Sequence, residues 1–139
     1  MKRQIGFRNN PFFVLTFLLL ISTFQVYSEE IKVSQDSTFC FVGDTGNVTE
    51  IQKEVAEALA NSDCSVIWHT GDIIYPDGIS SEGDPRFFTN FLDPFKKVFD
   101  KGIPFFLTLG NHDYKKEPRS YLEIAKSNPL IVYPNNYYL

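Results

Sequence analysis

Short apolar runs recur along the chain and predict three buried strands, at residues 38–42, 65–68 and 103–109. Residues 131–139 are also strand-like. The segments between these runs have helical spacing of their apolar side chains, so strands alternate with helices. This order predicts an α/β fold of the form strand-helix-strand-helix-strand, with a mostly parallel sheet.

Sequence features mark where the intervening helices begin and end. Thr49 and Gln52 have the spacing of a capping box. The apolar residues that follow them share one helical face: Ile51, Val55, Ala58 and Leu59. A second helical region starts at Pro85, breaks near Pro94, and carries a stripe of phenylalanines that we expect to pack in the core. A last helix is expected over residues 118–125.

The first 28 residues have the layout of a secretory signal peptide. Residues 1–10 carry three positive charges and no negative ones, residues 11–24 form an apolar run of 14, and side chains of modest size precede Glu29. A bilayer span needs about 20 apolar residues, so a cleaved peptide is favoured over an uncleaved anchor. We expect a secreted or periplasmic protein with residues 29–139 as its domain and no membrane association after cleavage.

Composition and charge narrow the class of protein further. The chain is 43% hydrophobic and 22% charged, which is typical of a globular domain and not of a disordered chain or a coiled coil. Residues 1–28 hold three of the 13 basic residues and none of the 17 acidic ones, so residues 29–139 carry a formal charge of −7. That charge argues against a nucleic-acid partner. Cys40 and Cys64 cannot form a four-thiolate zinc site, and either a disulfide or two buried thiols fits their positions.

The three predicted strands end in the same way, in a glycine followed by an oxygen-bearing side chain, namely Asp44, Asp72 or Asn111. Parallel strands bring their carboxyl ends to one edge of the sheet. Each pair alone is an ordinary turn sequence, but two carboxylates and an amide together suit a hard metal ion. Tyr75 is close enough in sequence to act as a further ligand, and His112 suits proton transfer near neutral pH.

These residues resemble a known family. Residues 43–46 (GDTG), 71–75 (GDIIY) and 110–113 (GNHD) resemble, in order and spacing, the first three sequence blocks of the calcineurin-like metallophosphoesterases. Tyr75 narrows the resemblance to the purple acid phosphatase branch, of the tartrate-resistant type. The resemblance implies that residues 29–139 are the N-terminal half of a β-sandwich flanked by helices, a truncated phosphoesterase domain.

The same resemblance implies a dinuclear metal centre that hydrolyses phosphomonoesters. It would contain iron(III) and a divalent ion, which is iron, zinc or manganese. Asp44 would bind the iron, and Asp72 would bridge the two ions. Tyr75 would bind the iron and give it colour, and Asn111 would bind the divalent ion.

The resemblance also assigns the residues that would transfer a proton to the leaving group, and it shows that some of the family's metal ligands are missing from this sequence. His112 would protonate the leaving alkoxide, and Asp113 would orient His112. The family has two later blocks that supply three histidine ligands, whereas this sequence contains two histidines, of which His69 is expected to be a satisfied strand residue. We therefore expect an incomplete, inactive chain. Lys115 and Lys116 could attract phosphate, although a solvated loop is the simpler interpretation.

Two other functions stay open at this point. One is a different activity within the same superfamily, that of a phosphodiesterase or a nucleotidase. The other is a degenerate domain that binds metal without catalysis.

Overall fold

The computed structural model describes residues 36–135, and within them four parallel strands form one sheet in the order β1-β2-β3-β4. Strands that follow each other along the chain are neighbours in the sheet, as expected for parallel strands joined by helical connections. The predicted α/β fold with a parallel sheet is confirmed. The strands are β1 (Phe39–Val42), β2 (Val66–His69), β3 (Phe105–Leu107) and β4 (Ile131–Val132). The prediction that the first strand is buried was wrong: β1 lies at the edge of the sheet, and its Phe39 and Phe41 are 47% and 68% exposed.

The predicted signal peptide, residues 1–28, lies outside the described residues. Among residues 36–135, no helix has the length and apolar character that crossing a bilayer requires.

The first two helical regions begin and break where the sequence predicts, whereas the last helix, expected over residues 118–125, begins and ends two residues later. The Thr49 side chain caps the first helix by accepting from the Gln52 backbone N–H at 3.1 Å, and Asp84 caps the second by accepting from the Arg86 N–H at 3.1 Å. The second region breaks at residues 93–95, around Pro94. The helical segments are α1 (Glu50–Ala60), α2 (Pro85–Phe87), a π-helical turn (Phe88–Leu92), α3 (Lys96–Asp100), a 3₁₀ turn (Asp113–Lys115) and α4 (Ser120–Ser127).

The face of α1 that packs on the core differs from the apolar face seen in the sequence. Gln52, Ala56 and Ala60 are buried, whereas Ile51 is 72% exposed. Burial satisfies only the nitrogen of the Gln52 amide: Nε2 donates to the backbone carbonyl of Asn90 at 2.6 Å, whereas Oε1 has no hydrogen-bond partner among the described residues. The small alanines then allow α1 to approach the rest of the core closely.

The phenylalanine stripe forms the centre of the core, as predicted. Phe91 is fully buried, and its ring centroid lies 5.1–5.9 Å from those of four other phenylalanines: Phe87, Phe95, Phe99 and Phe105. These spacings are typical of favourable aromatic pairs. Phe88 is the exception within the stripe, because it is 59% exposed.

Cys40 of β1 and Cys64, which precedes β2, form a disulfide whose Cα atoms are 5.8 Å apart. Of the two arrangements that the sequence allowed, the structure has the disulfide. The bond links β1 to the start of β2, at the opposite ends of these strands from Asp44 and Asp72.

His69 is fully buried at the carboxyl end of β2 and connects the turns that follow β1 and β2. Its Nδ1 accepts from the Gly71 backbone N–H at 3.2 Å, so the neutral ring carries its proton on Nε2, which lies 2.8 Å from the Thr45 hydroxyl. Burial lowers the pKa of His69 to about 4, against the opposing effect of the Asp44 and Asp72 carboxylates. The prediction of a satisfied strand histidine is confirmed.

Replacing Phe91 by alanine should lower the free energy of unfolding by about 3–5 kcal/mol, because the change leaves a cavity among the packed rings. The exposed neighbour Phe88 is the matched control, and Phe88→Ala should cost roughly 0.5 kcal/mol or less. Denaturant titrations of both variants measure the difference. Equal losses would contradict this description of the core.

The stability of the fold should fall as the pH drops from 6.5 towards 4. The folded-state pKa of His69 is about 4 against an ordinary value of 6.5, so in this window the unfolded chain binds a proton that the folded chain does not. Stability therefore rises with pH, by about 3 kcal/mol across the window. In His69→Gln this part of the pH dependence should vanish. An unchanged pH profile of the unfolding free energy in the variant would refute the assignment.

Candidate metal centre

The two aspartates that follow β1 and β2 both have left-handed backbones, with φ of 57° at Asp44 and 55° at Asp72. This conformation costs a non-glycine residue about 1 kcal/mol or more. The Asp44 N–H donates to the Gly71 carbonyl at 3.0 Å, so the two turns are tied together. Such strain in adjacent turns is typical of functional sites.

Tyr75 brings the two carboxylates together. Its hydroxyl oxygen lies 2.8 Å from Asp44 Oδ1 and 3.0 Å from Asp72 Oδ2. The hydroxyl has one proton to donate, so three oxygens crowd around a single hydrogen. Burial, followed by the hydrogen bonds to Asp44 and Asp72, raises the pKa of Tyr75 well above its ordinary value. A cation bound among these oxygens would lower the pKa of Tyr75 instead and would favour its phenolate form.

Asp113 fixes the turn after β3 against the turn after β2. Its carboxylate is fully buried, and the donors around it compensate for its lost hydration. The donors are the backbone N–H groups of Ile73, Ile74 and Gly110, at 2.9–3.2 Å, and the Tyr121 hydroxyl at 2.8 Å. Asp113 therefore acts on the neighbouring His112 by fixing the backbone that carries it.

His112 lies directly beside Tyr75 and Asp72. Its backbone N–H donates to Asp72 Oδ1 at 3.0 Å, and its ring packs edge-on against Tyr75 with centroids 4.6 Å apart. Nδ1 of the ring contacts the carbonyl oxygen of Pro76. Asn111 is exposed in the same turn, between Gly110 and His112.

Two contacts of His112 were missed at the sequence level. A backbone carbonyl such as that of Pro76 leaves no trace in a sequence. The second contact is with Lys115, whose Nζ lies 2.9 Å from His112 Nδ1. The three-residue spacing of His112 and Lys115 could have indicated it, because side chains three residues apart align on a 3₁₀ turn.

Glycines allow the three turns to approach this closely. A Cβ atom on Gly110 would lie 2.2 Å from Asp72 Oδ1, and one on Gly46 would lie 2.6 Å from the Tyr75 backbone nitrogen. No side chain fits at either position without displacing its neighbours. The turns are therefore shaped around the carboxylate of Asp72 and the backbone of Tyr75.

The donor atoms at this edge of the sheet suit a hard cation, since carboxylate, phenol and amide groups all offer oxygen. Within residues 36–135, no group of three or more His, Cys, Asp and Glu side chains is placed to hold a metal ion. A metal centre built from these residues would therefore use Tyr75 and Asn111 as well as the two aspartates.

Comparison with known proteins relates this geometry to a family. The family model "Calcineurin-like phosphoesterase" matches residues 37–139. Purple acid phosphatase 3 of Arabidopsis thaliana is 27% identical over 128 residues, covering 82% of this chain and 34% of its own length. Tartrate-resistant acid phosphatase type 5 of Mus musculus is 27% identical over 110 residues, covering 72% of this chain and 34% of its own.

A solved structure shares the fold. It is described as GAP50, the anchor in the inner membrane complex of Plasmodium, and it matches with a TM-score of 0.61 at 24% identity, over 72% of this chain and 34% of its own. This chain spans about a third of the length of the relatives it matches. Because the family model covers well over half of its residues, the chain belongs to the calcineurin-like phosphoesterase family.

Proposed function

We propose that this chain supplies part of a dinuclear metal centre that hydrolyses phosphomonoesters. The observation that carries the proposal is the position of the Tyr75 hydroxyl, within hydrogen-bond distance of both Asp44 and Asp72. These three side chains come from two separate strand ends, and the similarity to acid phosphatases supports the same reaction class.

The residues present would divide between two ions. Asp44 and Tyr75 would hold iron(III), Asp72 would bridge, and Asn111 would hold the divalent ion, which is iron, zinc or manganese. Two such ions, when bound, supply the positive charge that activates water and stabilises the transferring phosphoryl group. Tyr75 is also the residue that favours an acid phosphatase over a phosphodiesterase or nucleotidase.

His112 would handle the leaving group. Its Nδ1 faces the Pro76 carbonyl, which leaves Nε2 as the ring atom that can hold a phosphate oxygen or protonate the departing alkoxide. Asp113 and the Asp72 carboxylate restrain the turn that carries this ring. The ring is therefore positioned before substrate binds, which is the form in which general acids are most effective.

We further propose that these residues alone do not turn over substrate. Three histidine ligands are expected from the later blocks of the family, and the sequence contains two histidines in all. His69 is occupied by Thr45 and Gly71, and His112 is assigned to proton transfer. A domain that binds metal without catalysis is therefore the second candidate function for this chain.

Export of the chain is part of the same proposal. The disulfide between Cys40 and Cys64 is typical of proteins in oxidising compartments. It supports the proposed signal peptide and a secreted or periplasmic location.

Adding iron(III) to the purified chain should produce a visible absorption band, because a phenolate bound to iron(III) gives a charge-transfer transition. Tyr75→Phe should abolish the band. Tyr114→Phe removes an equivalent hydroxyl from a side chain that is 48% exposed, and it should leave the band unchanged. A band that persists in Tyr75→Phe, or is lost equally in both variants, would exclude Tyr75 as the ligand.

The metal-loaded chain should not hydrolyse a chromogenic phosphate ester above the background rate. The physical reason is that each ion lacks histidine ligands, so neither is held with the affinity and geometry that catalysis needs. Initial rates with and without a chelator measure this. Robust hydrolysis that the chelator abolishes would show that these residues are sufficient for turnover.

A further inference from the structure

We propose that Lys115 forms, with His112, an anion-binding subsite beside the metal centre, and that this subsite selects phosphate esters with a second anionic group. The inference rests on the proposed function. Its starting point is that Lys115 Nζ lies 2.9 Å from His112 Nδ1 and 3.3 Å from the Pro76 carbonyl oxygen.

The backbone fixes where this ammonium group lies. Lys115 ends the 3₁₀ turn Asp113–Lys115, three residues after His112, and side chains three residues apart lie on the same side of such a turn. The buried carboxylate of Asp113 holds the turn in place. The Lys115 ammonium is thus directed to the His112 ring, which packs on Tyr75.

The charges around this turn leave Lys115 as the cation without a carboxylate partner. Lys116 pairs with Asp77 at 2.8 Å, and Arg86 pairs with Asp77 at 3.0 Å and with Asp84 at 2.7 Å. In the part of the chain that the structure describes, no ion pair includes Lys115. The positive charge of Lys115 is therefore not neutralised by a paired carboxylate and is available to an anionic ligand.

Lys115 also has donor capacity to spare. An ammonium group has three N–H donors, and two of them face protein atoms, the Pro76 carbonyl oxygen and His112 Nδ1. The third donor is available on an exposed side chain, next to the ring proposed to handle the leaving group. A substrate whose leaving group carries a phosphoryl or carboxylate group would place that negative charge against Lys115, while its reacting phosphoryl group would lie at the ions that Asp44 and Asp72 are proposed to hold.

Calorimetric titration with pyrophosphate and with inorganic phosphate tests the subsite. The wild-type chain should bind pyrophosphate about tenfold more tightly than phosphate, since one charged hydrogen bond contributes about that much. Lys115→Met should remove the preference. Lys116→Met removes the same charge from the neighbouring, paired lysine and should keep the preference, and Lys115→Arg should keep most of it.

The outcomes distinguish a failure of the proposed Lys115 subsite from a failure of the proposed metal centre. Equal preference in Lys115→Met and Lys116→Met, or no preference in the wild-type chain, would overturn the subsite. Loss of preference in Lys115→Arg as well as in Lys115→Met would overturn the charge explanation. Metal content, measured on the same samples, tests the proposed metal centre independently, because Lys115 and Lys116 are not among its proposed ligands and the variants are compared at equal metal content.

Discussion

The buried carboxylate of Asp113 is the group on which the geometry of the candidate site depends. It accepts hydrogen bonds from the backbone of the turn after β2 and from the turn after β3, and Tyr121 of α4 supplies a further donor. A buried carboxylate is costly unless such donors surround it. The same requirement that stabilises the charge therefore holds two distant segments in one relative position, and with them Asp72 and His112.

A second constraint is electrostatic. Asp44 and Asp72 are held on either side of one phenolic hydroxyl, and their turns adopt strained left-handed backbones. Repulsion between negatively charged oxygens this close together lowers the stability of the fold unless a cation binds between them. Glycines permit this close approach, and the neutral His69 connects the two turns. The fold therefore keeps the two carboxylates together despite their repulsion, as a cation-binding site requires. Lys115 adds positive charge at the margin of the same site.

Much of the fold could be predicted because its information is local. The capping residues Thr49 and Asp84, the break near Pro94 and the positions of the strands follow from properties of neighbouring residues. The predicted burial of β1 was wrong, because an apolar run does not show whether other elements cover both faces of a strand, and Phe41 is 68% exposed. The core-facing side of α1 could not be predicted in this way. Ile51 is apolar but exposed, whereas the polar Gln52 is buried, and its amide nitrogen donates to the carbonyl of Asn90, 38 residues away.

The features of the candidate site also separate into those that depend on local sequence and those that depend on tertiary packing. The sequence by itself determined which side chains end the strands and, through its three glycine-containing motifs, the family to which the chain belongs. Only the tertiary structure decided that Cys40 pairs with Cys64, that Tyr75 joins two carboxylates, and that Lys115 lies against His112. The reason is physical: motifs report residue type and spacing, whereas distances between remote side chains depend on how the whole sheet and its turns pack.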